Sequence, residues 1–385
     1  MKLVKLGAIC KVESGGTPSR KSAENFGGDI PWVKIGDMLQ GTVTQTGENI
    51  SAQGLKNSAA KLWPVGTLLV SIFATIGRTA VLGVPAASNQ AIAGLQVDTE
   101  QAELNYLKHF LDASAQAMEA TGRGIAQNNI NMAMLRAWEV PLPSLEEQRR
   151  IAAILDKADE LRAKRRQAIA HLDTLTQSIF HNAESLASNS SKTKLSNVCS
   201  QIQTGPFGSL LHKEDYIVGG IPLVNPMHIR DGKVATDTSF SVTESKFDEL
   251  KNYQLLPGDI VLGRRGELGR CAEVVDADGP LLCGTGSLII RPSRQNVSPT
   301  YLSAVLSSTS TRRRLEELAQ GATMLNLNTK IVGNLDIAVP SLEMQQTFAN
   351  RVAAVERLKE THRKHLAELD ALFASLQNRA FKGEL

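Results

Sequence analysis

The nearest approach to a metal-binding pair in this 385-residue chain is His362 and His365, three residues apart on an apolar-patterned segment. A repeated copy of that segment carries Arg165 and Ala168 at the matching positions. The spacing therefore predicts a helix seam in preference to a ligand set, which would need further donors. Asn225-Pro-Met-His228 resembles an amino-methyltransferase motif, but it lacks the second proline and the aromatic residue. The carboxylate of Pro257-Gly-Asp259 has no downstream acid-x-Lys to make a nuclease centre. Residues 263–270 (GRRGELGR) are rich in glycine, yet they sit between β-prone runs and lack the Lys-Ser/Thr of a phosphate-cradling loop. No G-x-S-x-G elbow or H-E-x-x-H pair occurs, and Cys10, Cys199, Cys271 and Cys283 form no C-x-x-C. The expectation is a non-catalytic chain, with no catalytic residue, no metal and no cofactor of its own.

Composition narrows the classes further. The chain is 42% apolar and 21% charged with a net charge of +3, so sheer positive charge cannot be its means of holding a partner. No apolar run reaches the ~18 residues of a membrane span, and the opening residues have too short an apolar core for a secretory signal. A cytoplasmic location is expected. Aromatic residues make up 4%, too few for a binding mode built on base stacking.

The elements that would position any site are written twice. VPLPSLEEQRRIAAIL (140–155) returns as IAVPSLEMQQTFANRV (337–352), 197 residues later. KLWPVGTLLVSIFATIGRTAVL (61–82) aligns with YQLLPGDIVLGRRGELGRCAEV (253–274), and IPWVKIGDM (30–38) with IPLVNPMHI (221–229). Two copies of about 190 residues make a duplicated module, not a solenoid. In each, runs such as 67–73 and 259–263 follow PVG and PGD turns and predict strands. Segments 104–118 and 299–319 predict helices.

After Pro143 and Pro340 the pattern turns to heptads. One seam holds Ile151, Ala158, Arg165, Leu172 and Ile179; a second holds Ile154, Leu161, Ala168 and Leu175. The second copy repeats both at +197, with His362 answering Arg165. Such seams predict coiled-coil helices, capped by Ser144 and Ser341, with Glu147 completing a capping box. Leu145 to Asn182 would make a rod of about 57 Å. Two similar helices in one chain can pair antiparallel, bringing Arg165 and His362 together; a homodimeric zipper is the alternative. The expected fold class is α+β: two duplicated globules joined by two long antiparallel coiled-coil helices with pseudo-two-fold symmetry. The expected boundaries are 1–143 and 195–340 for the globules, 144–184 and 341–385 for the helices, and 185–194 for a Ser-rich linker.

GGTPS (15–19) with GDIPWVKIGDM (28–38), PVGTLLVSIFATIGRTAV (64–81), and AQNNINMAML leading to VPLPSLEEQRRIAAIL together resemble the specificity subunit of type I restriction-modification enzymes. The second copy departs from the pattern, with Met344 for the Glu of PxxEQ and GPFGS (205–209) for GGTPS. The resemblance implies two target-recognition domains, each reading half of a bipartite site in double-stranded DNA, with the helices as spacer. It also implies two methyltransferase subunits and motor-nuclease restriction subunits as partners. Those partners would hold S-adenosylmethionine, ATP and Mg. A scaffold that reads no DNA, or the recognition portion of a fused restriction-methylation enzyme, are the rival functions.

Phosphate contact needs Lys or Arg, and base reading favours Arg, Lys, Asn and Gln. The DNA candidates are therefore Arg20, Lys21, Lys34 and Arg78 in the first copy. In the second they are Lys213, Asn225, His228, Arg230, Arg264, Arg265 and Arg270. Arg78 and Arg270 are equivalent and suggest a shared role. Arg264 and Arg265 replace Ile72 and Phe73 and suggest domain-specific reading. Residues 312–314 (RRR) read as a charged helix face. For partner docking the duplicated junctions offer Gln127, Asn128, Asn129, Asn131, Glu147, Gln148 and Gln345.

Overall fold

The structure, a computed structural model, describes residues 1–122, 129–187, 192–236, 238–321 and 325–385. It divides into two compact units, Met1–Ala168 with His362–Leu385, and Ile169–Thr361. The long helices are thus shared out between the units instead of standing apart as segments of their own.

Unit 1 contains β1 (Cys10–Ser14), β2 (Phe26–Val33), β3 (Leu68–Ser71), β4 (Thr79–Leu82), β5 (Ile92–Val97) and α1 (Leu104–Gly122), and the start of α2 (Leu145–Ala187). Its main sheet runs β1-β5-β3-β4 with antiparallel neighbours, and Thr42–Val43 adds to β4 in parallel. A smaller sheet places β2 between Asn49–Ile50 and Ala87–Ser88. Unit 2 repeats this plan with β6 (Cys199–Thr204), β7 (Ile221–Val224), β8 (Ile260–Gly263), β9 (Cys271–Glu273), β10 (Ser287–Pro292) and α3 (Pro299–Ser307), followed by α4 (Leu342–Lys382). Its main sheet is β6-β10-β8-β9, the same order. Each main sheet buries one face under its helix, with Leu68, Leu95, Tyr106 and Leu107 in unit 1 and Leu262, Ile290, Tyr301 and Leu302 in unit 2.

The strands expected at 67–73 and 259–263 are present as Leu68–Ser71 and Ile260–Gly263. The helix expected over 299–319 is instead two, Pro299–Ser307 and Thr309–Leu318. Ser308 has extended backbone between them, and its hydroxyl accepts the Thr311 amide at 3.2 Å. In a Ser/Thr-rich run, such a cap competes with continuing the helix.

Inside each unit the helical segments pair antiparallel. In unit 1, Arg162 meets Asp370 at 2.6 Å and stacks 4.2 Å over Phe373, while Arg165 donates to His362 Nδ1 at 3.1 Å. The two equivalent polar seam residues do meet. In unit 2, Lys359 pairs with Asp173 at 2.7 Å and Phe180 packs edge-on to Phe348. The buried stripe is not the expected double seam, however. Ile151, Ala152, Leu155 and Ala158 are buried, whereas Leu161 and Leu175 are 42% and 46% exposed. The same holds in the second copy, where Phe348 and Val355 are buried and Leu358 and Leu372 are about half exposed. Each helix start must cover a globule as well as its helical partner, which turns the stripe away from a strict heptad.

Candidate nucleic-acid interface

In both units equivalent strands terminate together at one end of the main sheet, and Arg78, Asn225, Arg264 and Arg270 are hydrogen-bonded into that end. Ser14, Ser71 and Ile92 mark that end in unit 1; Thr204, Gly263 and Ser287 mark it in unit 2. Beyond β3 and β8 the chain makes the same loop twice. The Gly77 amide donates to the Ser71 carbonyl at 2.9 Å, and the Gly269 amide to the Gly263 carbonyl at 3.2 Å. A later segment clamps each loop: Ile130 donates to the Ile72 carbonyl and Leu327 to that of Arg264, both at 3.0 Å.

Both loops have two left-handed residues, Ala74 (φ +58°) and Gly77 (φ +83°) in unit 1 and Gly266 (φ +69°) and Gly269 (φ +73°) in unit 2. An L side chain in that region costs about 1–2 kcal/mol, and Gly266 avoids the cost. Ala74→Gly is therefore expected to raise unit 1 stability by about 1 kcal/mol, since the relief of strain exceeds the added chain entropy. Chemical denaturation followed by tryptophan fluorescence checks this, because Trp32, Trp63 and Trp138 are the chain's three tryptophans and all lie in unit 1. An unchanged or lower midpoint would contradict it.

In unit 2 the paired arginines separate. Arg265 is exposed, with no hydrogen bond or ion pair from its side chain among the described residues. Arg264 is 7% exposed and donates from Nε to Asn326 Oδ1 at 3.1 Å. Burial, with Arg265 next to it, lowers its guanidinium from the usual range. The expectation that Arg264 reads DNA is corrected, because it takes the buried position of Ile72 and braces the loop from inside. His228 is corrected likewise. It is 2% exposed, its Nδ1 lies 3.2 Å from the Asn225 amide, and it takes the place of Asp37, which accepts the Lys34 amide at 2.8 Å. Asn225 turns its carboxamide oxygen to the Gly286 amide at 3.1 Å, so it shapes the sheet end. Arg270 is occupied by Glu267 and the Ile229 carbonyl. Lys213 and Arg230 are exposed.

In unit 1, Lys21 is exposed and Arg78 half-buried. Arg20 and Lys34 converge on a residue that the sequence did not single out. Arg20 forks onto both oxygens of Glu48 at 2.6 and 2.8 Å, and Lys34 reaches it at 2.5 Å. These cations, Arg20 first, hold the Glu48 carboxyl down at about 2. Arg20 lies 4.4 Å above Phe26, and Lys34 lies 5.5 Å from Trp32, whose Nε1 donates to the Gly16 carbonyl. Glu48 lies 28 residues from Arg20 in sequence, so no local spacing could have revealed it.

The expected docking residues also divide. Gln127 and Asn128 lie outside the described residues. Asn129 bridges to the Phe73 backbone, and Asn131 caps the helix Met132–Ala137 by accepting two amides. Glu147 forks onto Arg150 instead of closing the capping box, although Ser144 and Ser341 do cap their helices. Gln148 and Gln345 are corrected. They are 0% and 1% exposed, and each locks a helix start to its globule. Gln148 accepts the Glu103 amide at 2.9 Å and donates to the Gln101 and Pro143 carbonyls. Gln345 accepts the Ser298 amide at 2.7 Å and donates to the Asn296 and Pro340 carbonyls. The invariant part of the repeated motif is thus an internal lock.

No nucleophile emerges from the cysteines. Burial raises Cys10 and Cys199 to about 12 and Cys271 to about 11, so they remain thiols at neutral pH. Asp259, of the PGD turn, is buried and forked by Arg291 at 2.7 Å. Among the described residues, no helix is long and apolar enough to cross a membrane.

The sequence pattern of the type I restriction modification DNA specificity domain matches residues 1–171 and again 190–371. The chain is 21% identical to the EcoBI specificity subunit of Escherichia coli, over 99% of this chain and 85% of that protein. It is 28% identical to the MjaIX specificity subunit of Methanocaldococcus jannaschii, over 46% of this chain and 42% of that one. The alignment with MjaIX thus spans less than half of either protein. The crystal structure of the type I restriction-modification S subunit from M. genitalium superposes with a TM-score of 0.62 at 15% identity, covering 99% and 96% of the two chains. The fold is shared with that protein.

Proposed function

The chain belongs to the type I restriction-modification DNA specificity family, and from that premise we propose that it is the DNA-reading subunit of a restriction-modification complex. Each unit reads one half of a bipartite duplex site. The carrying observation is that one sheet plan, with one clamped loop at its end, occurs twice while the side chains at that end differ. Phe73 corresponds to the exposed Arg265, and Arg20 corresponds to Leu210. A shared frame with divergent tips suits two different base sequences better than a scaffold holding two identical ligands.

Adenine methylation and ATP-driven cleavage then belong to partner subunits that carry S-adenosylmethionine, ATP and Mg. The exposed leucines of the repeated helices supply docking surfaces for two methyltransferase subunits. Unit 1 offers Leu161 and Leu372, and unit 2 offers Leu175 and Leu358, equivalent residues on equivalent helices. Apolar side chains left half in water at heptad spacing are the usual mark of a seam awaiting another helix.

Co-expression with an adenine methyltransferase subunit, followed by sequencing of methylated DNA, tests the reading. The expected result is one bipartite motif with a fixed non-specific gap. Removing one matched heptad from each long helix shortens it by ~10.5 Å and should change that gap by about three base pairs. A complex that assembles but methylates no specific sequence would favour the scaffold. A motif whose gap ignores the deletion would remove the helices' role as ruler.

A further inference from the structure

We propose that Arg20 and Lys34 form a site for one DNA backbone phosphate, and that Glu48 occupies this site in the free protein and makes it selective. The inference rests on the DNA-reading function and adds a residue that governs how sharply unit 1 discriminates.

The geometry is that of an anion site already filled. Both terminal nitrogens of Arg20 address the two oxygens of one carboxylate, and Lys34 adds a third contact. A phosphate presents the same pair of oxygens to an arginine fork. The site is built on a firm floor. Trp32 is 2% exposed and Phe26 packs against it edge-on. The Lys34 backbone is tied to Asp37, and the Glu48 carbonyl accepts the Trp32 amide at 3.1 Å. The heads of the two cations remain accessible, with side-chain exposures of 58% and 44%. The arrangement is particular to unit 1, since unit 2 has Leu210, Leu223 and Asn225 where unit 1 has Arg20, Trp32 and Lys34.

A tethered carboxylate inside a phosphate site penalises a loosely held duplex more than one docked in register. An incoming phosphate must displace Glu48 from both cations or accept the repulsion of a like charge. Only a duplex that also satisfies the base-reading loops recovers that cost. Glu48 thereby lowers non-cognate affinity more visibly than cognate affinity, which is how a repulsive element creates specificity. It also keeps unit 1 from presenting an unneutralised cation pair to the large excess of non-specific DNA.

The experiment uses the complex with its methyltransferase subunits and the variant Glu48→Gln, which keeps the side-chain shape, leaves one acceptor oxygen and removes one negative charge. Affinities for cognate and scrambled duplexes are measured across a salt series. Binding of scrambled DNA should tighten severalfold, the ratio of cognate to scrambled affinity should fall, and the slope of log Kd on log salt should steepen by about one. Adding Arg20→Ala and Lys34→Ala should abolish the gain. Thermal melting of Glu48→Gln verifies folding, and a destabilised variant is replaced by Glu48→Ala in the same assay. Unchanged or weaker scrambled binding with an unchanged slope overturns the proposal. The wild-type complex serves as a separate arm: if it shows no sequence preference at all, the DNA-reading function fails and not merely the role of Glu48.

Discussion

Gly205→Ala should destabilise unit 2 by about 3 kcal/mol or more, and Gly15→Ala should do the same to unit 1. A Cβ at position 205 would sit 2.0 Å from the Gly284 carbonyl oxygen, and one at 15 would lie 2.1 Å from Ser88 Oγ and 2.2 Å from the Asn89 carbonyl. The obstacles include backbone, which has no rotamer by which to retreat. Overpacking commonly costs 1–3 kcal/mol where side chains can shift, and here the strand crossing itself must open. The glycine that begins both GGTPS and GPFGS is thus required by a close approach at the sheet end. Denaturant titration resolves the two variants. Gly15→Ala should lower the tryptophan-fluorescence midpoint and Gly205→Ala the far-ultraviolet dichroism midpoint, and a variant as stable as the parent would refute the close approach.

The second large effect concerns Gln148 and Gln345. Truncating either to Ala leaves a part-buried amide without its acceptor and two carbonyls without their donor. Unpaired buried groups cost about 1–3 kcal/mol each, and the three share one side chain, so a loss of about 3 kcal/mol per site is expected. The isolated chain should melt earlier, before any partner is added. Variants of normal stability that fail to retain a methyltransferase subunit would return these glutamines to the docking surface assigned from sequence.

That reversal shows where reading along the chain stops. The repeated PSLEEQ and PSLEMQ motifs mark the glutamine as important, but importance does not distinguish a surface that meets a partner from a lock facing inward. The partner groups of Gln148, at Gln101 and Glu103, lie 45 to 47 residues away. The same distance problem hid Glu48 and made Arg264 look equal to Arg265. Neighbours in an irregular loop can point to opposite sides, and only the clamp from Asn326 decides which is buried. For the helices, the apolar period announced two long pairing segments. It misplaced the outer seam because the globules, absent from any heptad count, also compete for the apolar face.

Sequence alone determined the features set by local periodicity and self-similarity: a duplicated α+β module without catalytic motifs, strands at 67–73 and 259–263, and long capped helices on which Arg165 and His362 meet. These follow from short-range backbone chemistry and from a repeat that compares the chain with itself. Tertiary structure decided which polar residues face water and which hold the fold. It buried Gln148, Gln345, His228 and Arg264, left Arg265 and four leucines exposed, and set Glu48 between two cations. Burial and charge pairing depend on distances across the fold, where residues dozens of positions apart become neighbours.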